Sequence, residues 1–165
     1  MRISAVLGIL AAVGSVGAPQ YAVRLADNTI QMLSPWDVAN PAVGKLDPAL
    51  LIAVQQATAA AAAEGVTMTI TSGWRSPQFQ QQLLDDAIAV YGSLPAARQY
   101  VQTPDRSRHV LGQAVDIGSV GADQWLIVNG ARFGLCQIYA NEPWHFELAA
   151  DTAGNCPPLL ATAAN

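Results

Sequence analysis

The chain has 165 residues, 52% of them hydrophobic, and a formal net charge of −4 from 8 Lys and Arg against 12 Asp and Glu. That length suits one domain able to bury a core without multiple cross-links. The acidic balance, with no basic run and no P-loop glycine pattern, excludes a nucleic-acid surface, which needs clustered Lys and Arg.

Residues 1–18 read as a secretory signal. Arg2 is a short positive start, Ile3 to Val13 an apolar run, and Ser15-Val-Gly-Ala18 a small-residue cleavage region. A retained anchor or a buried strand is the alternative, but the run is short of the roughly 20 apolar residues a membrane helix needs. No other stretch is long enough to span a membrane. Residues 19–46, with Pro35 and Pro41, form an N-terminal extension of irregular structure. It holds a short element near Thr29–Leu33, and Trp36 is expected to pack inside.

Asp47 followed by Pro48 is a helix start, a side-chain cap before a proline at the first helical position. Leu50, Leu51, Val54, Ala57 and Ala61 share a face, and Gly65 ends the helix. Val66–Thr71 is β-branched and predicts a strand. Ser76-Pro77 starts a second helix to about Tyr91, with Phe79, Leu83, Leu84, Ala87 and Ile88 inward. Gly92-Ser-Leu-Pro95 breaks it. A short helix, Ala96–Val101, then leads to a polar loop, Gln102–Arg108, in which Asp105 and Arg106 read as loop charges.

Further strands are predicted at Ala114–Ile117, Leu135–Tyr139 and Trp144–Leu148, and a helix capped by Asp123 runs to Arg132. The tail beyond Cys156 is expected to be loose. This pattern is an α+β fold, helices packed on a small, mainly antiparallel sheet. The folded domain spans 47–150, and 151–165 is the tail. Cys136 and Cys156 form a disulfide if the chain is exported. In the chain-entropy account this adds about 3 kcal/mol. Two buried thiols or metal ligation are the alternatives.

Chemistry concentrates in two stretches that hold both histidines of the chain. Ser107 to Asp116 reads S-x-H-x-x-G-x-A-x-D, with His109 and Asp116 separated by small residues that let the backbone turn. Glu142-Pro-Trp-His145 supplies a third ligand type. His109, Asp116 and His145 suit Zn²⁺ with an open fourth position, the pattern of a catalytic rather than a structural zinc. The same donors accept other divalent metals.

Glu142, in the bend before the last strand, is the candidate general base, or else a solvated loop carboxylate. Arg75 either faces a developing oxyanion or substrate carboxylate, or pairs with Asp85 or Asp86 at the surface. Glu147 lies two residues past His145 on the same strand face. It either supports the site or faces solvent.

These residues match a family. The chain resembles the zinc D-Ala-D-Ala metallopeptidases of bacterial cell walls, the VanY and VanX type. Ser72-Gly-Trp-Arg75-Ser76 with Gln80 is similar to the family's S-G-Y-R-S-x-x-x-Q, with Trp74 in the Tyr place. Ser107 to Asp116 and Glu142 to Phe146 match the other two motifs. Glu147 stands where the family often carries a basic residue.

The resemblance implies a hedgehog-like single-domain fold and zinc on His109, Asp116 and His145. It further implies Glu142 as base, Arg75 on the substrate carbonyl or carboxylate, and Gln80 and Ser107 on the terminal D-Ala carboxylate. The implied function is a secreted D-alanyl-D-alanine carboxypeptidase acting on peptidoglycan stem peptides, as a monomer in the cell envelope. A D-Ala-D-Ala dipeptidase, an L-Ala-D-Glu endopeptidase and a non-catalytic zinc-containing wall-binding module are the competing functions.

Overall fold

The computed structural model describes residues 32–164. Four strands form one antiparallel sheet in the order β1-β2-β4-β3: β1 Thr69–Ser72, β2 Ala114–Gly118, β3 Leu135–Gln137 and β4 His145–Leu148. The helices are α1 Pro41–Gly44, α2 Pro48–Ala63, α3 Pro77–Tyr91, α4 Leu94–Ala97 and α5 Ala122–Asn129. A 3₁₀ turn, Gly130–Phe133, follows α5. Among the described residues no helix is long and apolar enough to cross a membrane.

Strand alternation sorts the sheet into two faces. Ile70, Val115, Ile117, Leu135 and Phe146 join one core with Leu50, Val54, Ala57 and Ala61 of α2 and Trp125 and Leu126 of α5. The intervening positions, Asp116, His145 and Glu147, face the other way. A smaller cluster, Leu84 and Ala87 of α3 with Ala97 and Val101, lies apart from the main core.

Asp47 caps α2 as its sequence predicts, its carboxylate accepting from the Ala49 and Leu50 amides at 2.8 and 3.4 Å. Ser76 caps α3 through the Phe79 amide at 3.1 Å.

Several expectations are corrected. Trp36 is 54% exposed rather than packed inside. Thr29–Gln31 lie outside the described residues, as do the proposed signal residues, while Leu33 forms a bridge to Ile70. Val43 and Leu46 are buried in the main core. The first strand begins at Thr69, later than predicted.

In α3, Phe79 is exposed and Gln80 takes the buried place. Gly92, left-handed with φ 78°, stops α3. Ser93 then caps α4, so Pro95 lies inside a helix start rather than in the break. Gly121, not Asp123, occupies the cap of α5, and Asp123 lies in its first turn. β3 ends at Gln137 and β4 starts at His145, each shorter than expected.

The tail is not loose. Cys136 and Cys156 are joined, Cα to Cα 5.5 Å. Leu160 then pairs with Tyr139 in a parallel bridge, and Ala163 is buried.

Candidate metal and catalytic site

The register of β2 and β4 sets Asp116 directly opposite His145. Cross-strand partners on one face have Cβ atoms about 5 Å apart, close enough to share one ion. His109 arrives from the loop before β2. That loop is held by Gly112, left-handed at φ 71°, where a Cβ would meet the Lys45 carbonyl oxygen at 2.5 Å. Asp47 N donates to the Gly112 carbonyl at 2.8 Å, tying the loop to the start of α2. The motif glycine is therefore required by backbone sterics.

His109 Nε2 and His145 Nδ1 each lie 3.3 Å from Asp116 Oδ1. A tetrahedral ion with bonds of about 2.0–2.2 Å has ligand-to-ligand edges of roughly 3.3–3.6 Å, so two edges fit directly. All three donor atoms lie within 4.8 Å of one another, and all three residues are buried.

The outer nitrogens fix the donors. His109 Nδ1 donates to the Gly73 carbonyl at 2.8 Å, which leaves Nε2 as the lone-pair nitrogen. His145 Nε2 faces Glu147 Oε1 at 2.9 Å, which turns Nδ1 inward. This is the carboxylate–histidine support usual around a metal. Glu147, left open on sequence, thus faces the site and supports His145, and Arg108 lies 3.6 Å from its other oxygen.

Arg75 sits at 2.8 Å from Asp116 Oδ2, and donates to Ser72 Oγ at 2.8 Å and to Gln80 Oε1 at 3.2 Å. It points into the site, not toward Asp85, which accepts from Gln81. Gln80, 1% exposed, donates through Nε2 to the Gln102 carbonyl at 2.8 Å. Its amide therefore orients the Arg75 fork as well as lining the cavity. Ser107 is buried at the cavity wall.

Glu142 is buried before β4. Its Oε2 lies 4.0 Å from His145 Nδ1, and its Oε1 has no hydrogen-bond partner among the described residues. A buried carboxylate oxygen without a partner is costly in a folded chain and marks a place for a water or substrate group. Arg75, Gln80, Ser107, Glu142 and the three candidate ligands line one open cleft.

Electrostatics divides the titratable groups. Burial pushes the Glu142 carboxyl up to about 7, with the Asp116 charge adding to it and His145 opposing. Burial, aided by the Arg75 charge, brings His109 down to about 4. Burial opposes charge on His145 too, but hydrogen bonds to Asp116 and Glu147 outweigh it and raise the ring to about 9. Asp116 stays well below the usual carboxylate range. Burial raises it, but His109, His145 and Arg75 prevail.

Sequence reasoning missed part of the cleft. Tyr139, Trp144, Arg106 and Arg108 line it, as do Leu83, Tyr100, Val101 and Ala163. Arg106, read as a loop charge, faces the cleft. Glu147 carried a usable signal, its two-residue spacing from His145; Ala163 carried none.

A three-donor metal corner with a buried carboxylate beside it is the arrangement a metal-dependent hydrolase uses. The model of the family described as VanY, D-alanyl-D-alanine carboxypeptidase, matches residues 44–151, and the chain belongs to that family. A D-alanyl-D-alanine carboxypeptidase of Enterococcus faecalis (strain ATCC 700802 / V583) is 35% identical over 112 residues, which cover 53% of this chain and 42% of that protein. The chain thus spans well under half the length of that relative.

Two solved structures are also similar. VanYB in complex with D-Alanine-D-Alanine has a TM-score of 0.58 and 31% identity, covering 62% of this chain and 70% of that one. A mutant of the vancomycin-resistance D,D-pentapeptidase VanY from a VanB-type cassette, in complex with Zn(II), has a TM-score of 0.62 and 28% identity. That match covers 78% of this chain and 84% of the other.

Proposed function

We propose that this chain is an exported zinc D-alanyl-D-alanine carboxypeptidase that removes the terminal D-Ala from peptidoglycan stem peptides. The observation that carries the reading is Glu142, a buried carboxyl raised to about 7 beside the His109-Asp116-His145 corner. A general base works best with a pKa near the working pH. The disulfide and family membership support an extracytoplasmic location.

His109, Asp116 and His145 would hold the zinc, which when bound would supply Lewis-acid polarisation of the carbonyl and activation of the attacking water. Glu142 accepts the proton of the attacking water on the oxygen left without a partner, then returns it to the leaving D-Ala amine. Arg75, held by Ser72 and Gln80, presents its guanidinium to the carbonyl or the terminal carboxylate. Ser107 and Gln80 border the same carboxylate end. Glu147 keeps the His145 ring in the tautomer that offers Nδ1.

The test is the full chain without its proposed signal, incubated with a pentapeptide ending in D-Ala-D-Ala. Release of one D-Ala, stopped by a chelator and restored by zinc, is the expected result. Release of the dipeptide, or a cut nearer the N-terminal end, overturns the carboxypeptidase specificity. No cleavage at full zinc occupancy overturns the enzymatic reading.

A further inference from the structure

We infer that Ala163, brought back to the cleft by the strap of residues 157–164, is a specificity-determining wall residue that sets the size of the substrate's terminal side chain; this rests on the carboxypeptidase reading above. The segment lies beyond residues 44–151, the part that matches the family. It is nonetheless built into the site by three separate ties. Cys156 is joined to Cys136 of β3. Leu160 N donates to the Ile138 carbonyl at 2.9 Å, and Ala140 N to the Leu160 carbonyl at 2.8 Å. Gln102 Nε2 donates to the Ala163 carbonyl.

These ties carry the strap along the rim from Tyr139 to Gln102. At its far end Ala163 is 7% exposed and lines the cleft with Leu83, Tyr100, Val101 and Gln102. The strap is also coupled to the charged end of the site. The Gln102 carbonyl accepts from Gln80, and Gln80 accepts from Arg75, which pairs with Asp116.

A substrate with its scissile bond at the Asp116–Glu142 corner and its carboxylate near Arg75 places its last side chain toward this apolar recess. Leu83, Tyr100 and Val101 contribute apolar surface to the cleft, and Ala163 borders it with them. A methyl side chain fits such a recess, and each added methylene meets the strap.

The test uses binding, so it reads the wall apart from turnover. Zinc-loaded Glu142→Gln protein is titrated calorimetrically with D-Ala-D-Ala and with D-Ala-D-Leu, in the parent, Ala163→Gly and Ala163→Leu backgrounds and in a chain ending at Pro157. Zinc content is measured on each. One methylene in an apolar pocket changes affinity by about tenfold or more.

Ala163→Leu is expected to weaken D-Ala-D-Ala about tenfold at unchanged zinc content. Ala163→Gly and the truncated chain are expected to lower the preference for D-Ala-D-Ala over D-Ala-D-Leu about tenfold. If Ala163→Leu fails to fold, these last two variants decide. An unchanged preference in both, in a protein whose wild type releases D-Ala, overturns the wall and leaves the carboxypeptidase reading standing. A zinc-loaded parent that binds neither dipeptide overturns the wall, and overturns the carboxypeptidase reading as well when the wild type releases no D-Ala from the pentapeptide.

Discussion

Glu142 is the residue on which proton transfer and stability pull in opposite directions. Its folded value of about 7 lies above its ordinary 4.5, so folding disfavours its charged form. The sign follows from linkage: a raised carboxyl contributes stability below about pH 4.5 and loses it as pH rises through 7. Glu142→Gln is therefore expected to stabilise the metal-free protein at pH 8, by up to about 3 kcal/mol, and to leave it unchanged at pH 4. The same change is expected to lower kcat by about 10²- to 10⁴-fold with zinc content retained. Melting curves at the two pH values and a peptide assay check both halves; full activity in the variant removes Glu142 as base.

His145 gives the second expectation at this scale. Raised to about 9, it is protonated in the metal-free protein at neutral pH, whereas His109, near 4, is already neutral. Zinc takes only the neutral ring, so binding at pH 7.5 releases one proton from His145. Apparent zinc affinity is expected to rise about tenfold per pH unit from 7 toward 9, then flatten. Glu147→Gln weakens the hold on that ring and is expected to cost 10- to 100-fold in zinc affinity. Calorimetry in buffers of different ionisation enthalpy counts the proton, and a proton count of zero excludes His145 as the titrating ligand.

At the scale of elements, the loop before β2 and the β2–β4 pair do the positioning. The pair supplies two candidate ligands by register alone, since Asp116 stands opposite His145. The loop supplies the third only because Gly112 lets the chain pass against Lys45 and Asp47. Gly112→Ala puts a side chain on a left-handed residue and drives a methyl into backbone that cannot yield. It is expected to destabilise by about 2–4 kcal/mol and to weaken zinc binding by displacing His109. Chemical denaturation and a metal titration measure the two effects; a variant with unchanged midpoint and affinity shows that the loop relaxes freely.

The whole molecule couples folding to metal. Two like-facing candidate ligands, a half-buried arginine and a raised carboxyl share one corner, which a metal ion would complete. At a free zinc level of about 1,000 times Kd, binding adds about 4 kcal/mol to stability. For a chain of this size the melting temperature is expected to rise by about 10 °C, and a chelator is expected to reverse it. A differential scan with and without chelator tests this. The cleft also carries Arg75, Arg106 and Arg108, cationic groups that an anionic peptide end can meet, beside the carboxylates of Asp116 and Glu142.

The sequence by itself determined the candidate ingredients of the site. His109, Asp116, Glu142 and His145 are legible as candidates because metal chemistry restricts which side chains can serve, and the structure brings them to one corner. Asp47 and Ser76 announced two helices because a cap acts within three residues of itself. Local signals of that kind do not reach across the chain. The paired placement of Asp116 and His145, the orienting contact of Glu147, the inward turn of Gln80 and the return of residues 157–164 to the cleft were decided only by tertiary structure. Each depends on strand register or on contacts between segments far apart in sequence. Packing and long-range hydrogen bonding, not local preference, select those arrangements.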